Sequence, residues 1–297
     1  MLPSHPTFRS PYLWGLLCLL LSGACGEDEI PAERLDRFGR DLVTLVQSEE
    51  FDEIDPRVNY RIFTGRILRD YPTTRSQLQQ LGEYLAAQKL FSQILANQAA
   101  YYGSFEFLRS YQKQGRRFTL FRWSEQDQFD YLILELRSEG EQLKIVDGQF
   151  LSRGMSLVEA TRAVEVTRIA QNESESLLML EATQDISTLL SEGDYLAAAQ
   201  RFSGLPEALQ QRKIFRYFEL LISLYTGDGQ YERKSAAFLE QFPESWSSVL
   251  YQALVWHYQQ VQCEQLRSTV TDFYQTVGPD PWLETLVERC RGKEFNI

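Results

Sequence analysis

The chain has 297 residues, 43% of them hydrophobic and 24% charged, with a formal net charge of −11. So acidic a surface repels phosphate backbones and anionic headgroups, which argues against nucleic acid as a partner. Two histidines and four cysteines leave little material for histidine-bearing metal sites or for familiar nucleophile and base pairs.

In chain order the first element is an export segment. Arg9 is the only charged side chain before Glu27, and Tyr12 to Leu21 is an unbroken apolar or small run. A membrane-spanning helix needs about twenty apolar residues, so the run is too short to span and has the flanks of a signal peptide over residues 1–24. Ser22, Gly23 and Ala24 are the small residues before Cys25. This segment resembles a bacterial lipobox, with Ser22 standing where a leucine is usual and Leu21 one place early. The resemblance implies a lipoprotein: cleavage before Cys25, acylation of its sulfur with palmitate-type chains, a tether over 25–32 and a membrane anchor. Gly26 is not the aspartate that retains such proteins at the inner membrane, so the resemblance points to the outer membrane. Without acylation the same chain is a soluble periplasmic protein.

Removing the segment takes Arg9 with it and moves the net charge to −12, over 273 remaining residues. That length suggests two domains. The first spans 33–155. Leu35, Phe38, Leu42 and Leu45 or Val46 recur at helical spacing. Asp55-Pro56 has the form of a cap and first-turn proline opening a second helix with Val58, Ile62 and Ile67. A third, longer helix is predicted from Thr74 to about Asn97. Four aromatic and β-branched runs follow, Ser104–Tyr111, Arg117–Trp123, Phe129–Arg137 and Gln142–Phe150, separated by short polar turns that make them antiparallel neighbours. Helices packed on a four-stranded antiparallel curved sheet make an α+β domain. The element order resembles the NTF2-like and cystatin-like folds, which implies a pocket at the open end of the sheet.

Alternation along the strands places Phe118, Leu120 and Arg122 on one face, with Phe129, Tyr131, Ile133 and Glu135 on the next strand and Leu143, Ile145 and Asp147 on the fourth. If that face is concave, Arg122, Tyr131, Glu135 and Asp147 are its candidate pocket residues. Arg122 and Asp147 then either pair with each other across the sheet or hold a ligand. The basic hairpin Lys113, Arg116, Arg117 reads as a solvated turn, with an anion site as the other reading.

Ser156-Leu157-Val158-Glu159 is a capping box opening a connecting helix over 156–173. The remainder, 174–297, is helical in pattern. Gly193-Asp194-Tyr195 is repeated as Gly229-Gln230-Tyr231 after 36 residues, and Pro206, Pro243 and Pro279 follow at steps of 37 and 36. Such a period predicts an all-α domain of stacked helical hairpins. Gly193, Tyr195, Ala198 and Phe202, then Gly229, Tyr231 and Phe238, resemble the second helix of a tetratricopeptide (TPR-like) repeat, with Lys234 in place of the small residue in the second copy. Leu177, Leu180, Phe215, Phe218, Leu221, Tyr225, Leu250, Leu254 and Tyr258 are expected in the core. Cys263 and Cys290, the two cysteines left after export, either form a disulfide or are buried apart as small apolar residues. His257, beside Trp256 and Tyr258, reads as packing.

Neither a metal site nor a cofactor motif is predicted, and no catalytic residue. The repeat resemblance implies protein binding: a non-catalytic, lipid-anchored scaffold for an envelope protein or peptide. The alternative is a small-molecule binder or unusual enzyme using a pocket in the first domain.

Overall fold

The computed structural model describes residues 30–169 and 173–294. The predicted export segment, Cys25 and the break at Asn172 lie outside the described residues. Helix α1 (Ala32–Gln47) buries Leu35, Phe38, Leu42 and Val46 in a single stripe, as the apolar spacing dictates. Gly39 shares that stripe because the ring of Phe107 occupies the place of a Cβ there.

Helix α2 (Tyr60–Ile67) does not open at Asp55-Pro56. Those residues form a single 3-10 turn, and Asn59 is the cap, accepting from the Ile62 amide at 2.9 Å. Nor is the third predicted helix continuous. It is α3 (Arg75–Ala87) and α4 (Leu90–Tyr101), broken at Lys89, whose φ of 48° is left-handed. Leu85 and Phe91 stand well apart around a straight helix, and the break lets both reach one core. Asp55 serves this break: its carboxylate accepts from the Phe91 and Ser92 amides at 3.3 and 2.9 Å, satisfying donors that the start of α4 leaves open.

Strands β1 (Ser104–Lys113), β2 (Arg116–Glu125), β3 (Gln128–Glu139) and β4 (Gln142–Phe150) form one antiparallel sheet in that order. Gln114 and Gly115, with φ of 52° and 74°, make the two-residue turn whose hand suits the twist of a hairpin. One face, through Phe105, Phe121, Trp123, Leu132, Leu134 and Leu136, packs on α1 to α4. The register of β3 and β4 shifts between Glu135, opposite Asp147, and Leu136, opposite Ile145. Val146 is therefore the extra residue of a bulge, and alternation breaks there. Leu143 and Ile145 enter the inner core while Asp147 joins Glu135 on the outer face, so the predicted grouping of Leu143 and Ile145 with Asp147 is corrected.

Helix α5 (Leu157–Ile169) packs on α2 and β4. The all-α region then runs through α6 (Glu173–Glu192), α7 (Tyr195–Ser203), the single turn α8 (Glu207–Gln210), α9 (Lys213–Thr226), α10 (Tyr231–Gln241), α11 (Trp246–Gln259), α12 (Cys263–Val277) and α13 (Pro281–Glu294). Consecutive helices pack as antiparallel pairs, α6 with α7, α9 with α10 and α11 with α12. Leu177 and Leu180, expected in the core, are 59% and 39% exposed, because α6 buries the stripe Met179, Ala182 and Ile186 instead.

The two regions share a core. Leu120, Phe129 and Tyr131 of the outer sheet face pack against Tyr251, Leu254, Phe273 and Leu283 of α11, α12 and α13. Backbone acceptors are tied in as well: the Tyr217 hydroxyl and the Gln252 amide both donate to the Ser152 carbonyl at 3.0 Å. Gly154, with φ of 70°, lies so close to Tyr217 that a Cβ would stand 2.6 Å from its ring. The sheet is thus the middle of three layers, and its outer face is roofed over part of its length.

Candidate functional site

Where the roof ends, a cleft of about 690 Å³ remains between the outer sheet face and the ends of the helices. Its sheet wall carries Arg109, Tyr111, Lys113, Arg116, Phe118, Ile133, Glu135 and Asp147; its helical wall carries Ser156, Glu159, Lys213, Glu244, Trp246 and Thr276. Its size is within the range of ligand pockets, and its lining is largely charged and polar.

The four residues singled out from alternation share the outer face but not one site. Glu135 and Asp147 line the cleft, directly opposite each other on β3 and β4. Arg122 and Tyr131 are buried beneath α13. Arg122 does not pair with Asp147. It binds Asp280, which is fully buried, and Glu106 at 2.6 Å, with its guanidinium 5.7 Å from the centre of the Trp282 ring. The Tyr131 hydroxyl donates to the other Asp280 oxygen at 2.7 Å, and burial raises its pKa well above the phenolic range. Asp280 also caps α13 through the Trp282 amide at 3.0 Å. This cluster closes the sheet against the helices.

On the cleft wall Glu135 accepts two bonds of 2.6 and 2.8 Å from Arg66, and Arg116 joins from the neighbouring strand. Burial works against the Glu135 carboxylate, but the two arginines outweigh it and hold its pKa below the ordinary range. Asp147 has the opposite balance. Burial dominates and pushes it up to about 6, despite bonds from the Gly148 and Val158 amides at 2.8 and 3.1 Å. Two adjacent carboxyls are therefore set apart, one firmly ionised and one titrating near neutrality.

Asp147 also anchors the connecting helix, since Val158 is in the first turn of α5. The capping box is formed there: Ser156 N donates to Glu159 at 2.8 Å and Glu159 N to the Ser156 hydroxyl at 3.2 Å. Glu159 reaches into the cleft as well, where Lys213 bridges it to Glu244 at 2.6 and 2.7 Å. Burial opposes ionisation of Glu244, but Lys213 prevails and holds its pKa below the ordinary range. Arg109 donates to the Thr276 carbonyl at 2.9 Å and lies 5.1 Å over the Tyr111 ring, which stacks on Phe118 at 5.2 Å.

The repeat-signature residues build hairpins and do not line the cleft. Gly193, with φ of 80°, ends α6, and Asp194 caps α7 through the Ala197 amide at 3.0 Å. Ala198 is fully buried, Phe202 packs partly buried beside it, and Tyr195 stacks on Tyr225 at 4.8 Å. In the second copy Gly229 has φ of 69°, Tyr231 packs partly buried and Phe238 is buried. Lys234 meets Glu219 at 3.7 Å and Asp228 at 3.4 Å, so an ion pair stands where the first copy has close packing. Cys263 and Cys290 are joined as a disulfide with Cα atoms 5.6 Å apart, fastening α13 to α12.

Asp280, Arg66, Lys213, Glu159 and Glu244 were not among the residues predicted for a site. Asp280-Pro281 is a legible helix start, but nothing local links it to Arg122, 158 residues away. Among the described residues no group of His, Cys, Asp or Glu could hold a metal ion, and no helix is long and apolar enough to cross a membrane. No family model matches the chain, and neither a curated protein nor a solved structure matches it.

Proposed function

We propose that this chain is an exported, non-catalytic binding protein of the bacterial envelope, anchored through acylated Cys25, that holds a segment of a partner protein between its sheet and its helical hairpins. The observation that carries this reading is the cleft itself, whose walls come from both regions and whose mouth presents Trp246 at 47% exposure. The hairpins of 173–294 supply one wall, which is the use to which stacked repeats lend themselves.

Replacing Trp246 with a photo-crosslinking phenylalanine analogue tests it in cells. A discrete adduct from position 246, absent when the same analogue replaces exposed Tyr84 on α3, is the expected result; equal labelling from both positions refutes cleft binding. Intact-mass analysis of the mature chain tests the anchor, and an unmodified Cys25 removes it.

A small polar ligand in the same cleft is the second reading, favoured by Asp147, a carboxyl titrating near 6 at its floor. Native mass spectrometry of freshly isolated protein decides between the two: a retained, dialysable low-mass species supports the second.

A further inference from the structure

We propose that the cleft selects its segment by a two-signed charge pattern, an acidic side chain facing the β1–β2 hairpin and a basic one facing Glu159 and Glu244; this rests on the partner-segment reading above. The sheet wall carries Arg109, Lys113 and Arg116 together with Glu135 and Asp147; Glu135 is matched by Arg66 and Arg116, so the hairpin end keeps its cationic excess in Arg109 and Lys113. Two of the wall's cations are held in place. Arg109 is fixed by the Thr276 carbonyl at 2.9 Å, and Arg116 by Glu135 and by the Phe118 ring at 5.3 Å.

Facing them, Glu159 and Glu244 share the single cation Lys213, which leaves that wall in negative excess. The Glu244 side chain is 58% exposed, so it is available to an incoming cation. A segment of one sign would gain at one wall and be repelled at the other. A segment carrying both signs is complementary at each, and like-charge juxtaposition is the means by which such surfaces reject wrong partners. A free amino acid carries both signs on one carbon and falls short of filling about 690 Å³, a volume within the range that holds drug-sized ligands. A peptide segment carries them on separate side chains.

The test uses the purified mature chain and arrays of acetylated, amidated heptapeptide mixtures, randomised except at two fixed positions. Those positions hold Glu and Lys, Glu and Glu, Lys and Lys, or Ser and Ser, at several spacings. The Glu–Lys mixture at one spacing and polarity is expected to bind at least about tenfold above the single-sign and neutral mixtures. Glu244→Lys should move the preference to the Glu–Glu mixture and Lys113→Glu to the Lys–Lys mixture; Lys113→Glu should leave the melting temperature unchanged, and circular dichroism checks that Glu244→Lys, which breaks the bridge to Lys213, keeps the fold.

Equal binding of single-sign or neutral mixtures, or a preference that neither reversal moves, overturns the charge pattern. The crosslink at position 246 separates the two levels. An adduct there with no two-signed preference defeats the charge pattern and leaves the binding reading standing. Absence of both an adduct and any peptide binding defeats both.

Discussion

Two carboxylate clusters occupy the same face of one sheet and face different surroundings. At one end Asp280 meets Arg122 and Tyr131 beneath Trp282, with the Arg122 and Asp280 side chains 6% and 0% exposed. At the other, Glu135 meets Arg66 and Arg116, which are 29% and 54% exposed. The chemistry is alike, a carboxylate and guanidinium in each, but only the first is sealed from water. What separates them is where α13 ends its coverage of the sheet. The sealed cluster ties the two regions together, and the open one lines the cleft.

Removing one partner from each cluster is the most direct way to break this comparison. Asp280→Ala leaves a buried guanidinium without its main counter-ion, which typically costs about 3–5 kcal/mol, and it also removes the cap of α13. Glu135→Gln is expected to cost less, about 1–2 kcal/mol: the Glu135 side chain is itself only 7% exposed, but Arg66 and Arg116 reach solvent and are rehydrated when it is neutralised. Urea denaturation of both variants checks this, and equal losses would abolish the distinction. The disulfide comes next. Cys263 and Cys290 enclose 27 residues of separation, for which loop-entropy reasoning gives a loss of about 3.5 kcal/mol on replacing both by serine. The loss should fall on the sealed end, seen as increased hydrogen exchange in α13 with β4 unchanged. Uniform exchange across the sheet would show that the bond holds the whole molecule rather than that end.

How much of this was legible depends on the range of the interactions. The four strands could be read because aromatic and β-branched runs with short polar turns are local signals, and the capping box at Ser156 is contained within four residues. The break at Lys89 was not, since both flanks favour helix and the group that stabilises it, Asp55, lies in a distant turn. The bulge at Val146 carries no glycine or proline signal of its own, yet it alone puts Asp147 beside Glu135. Leu177 and Leu180 show the converse error, apolar residues on the helix face that nothing covers among the described residues. Of the four pocket candidates, Glu135 reached the cleft as alternation placed it and Asp147 only through the bulge, while Arg122 and Tyr131 turned into a docking cluster because Asp280 has no local relation to Arg122.

The remaining effect is smaller and the most specific to the cleft. Burial raises Asp147 to about 6 and likewise the buried Asp130 to about 6. A carboxyl with a raised folded value binds a proton more readily folded than unfolded. Its penalty is therefore complete above pH 6 and fades as pH falls towards the unfolded value of about 3.9. Glu135 behaves oppositely: the stability contributed by Arg66 and Arg116 is present above its unfolded value, about 4.3, and is lost only as pH falls through its lowered folded value. Asp147→Asn keeps an oxygen to accept from the Gly148 and Val158 amides and removes the titration. Each tenfold change in proton affinity is worth roughly 1.4 kcal/mol, and the buried amide that replaces the carboxyl carries a desolvation cost of its own. The variant is therefore expected to be about 2 kcal/mol more stable than the parent above pH 6, with the advantage gone near pH 4. Urea midpoints of the two proteins between about pH 4 and pH 7.5 measure the difference directly, so contributions common to both cancel. An advantage that stays constant with pH would show that Asp147 titrates as an ordinary surface carboxyl, leaving the two ends of the sheet face distinguished by solvent access alone.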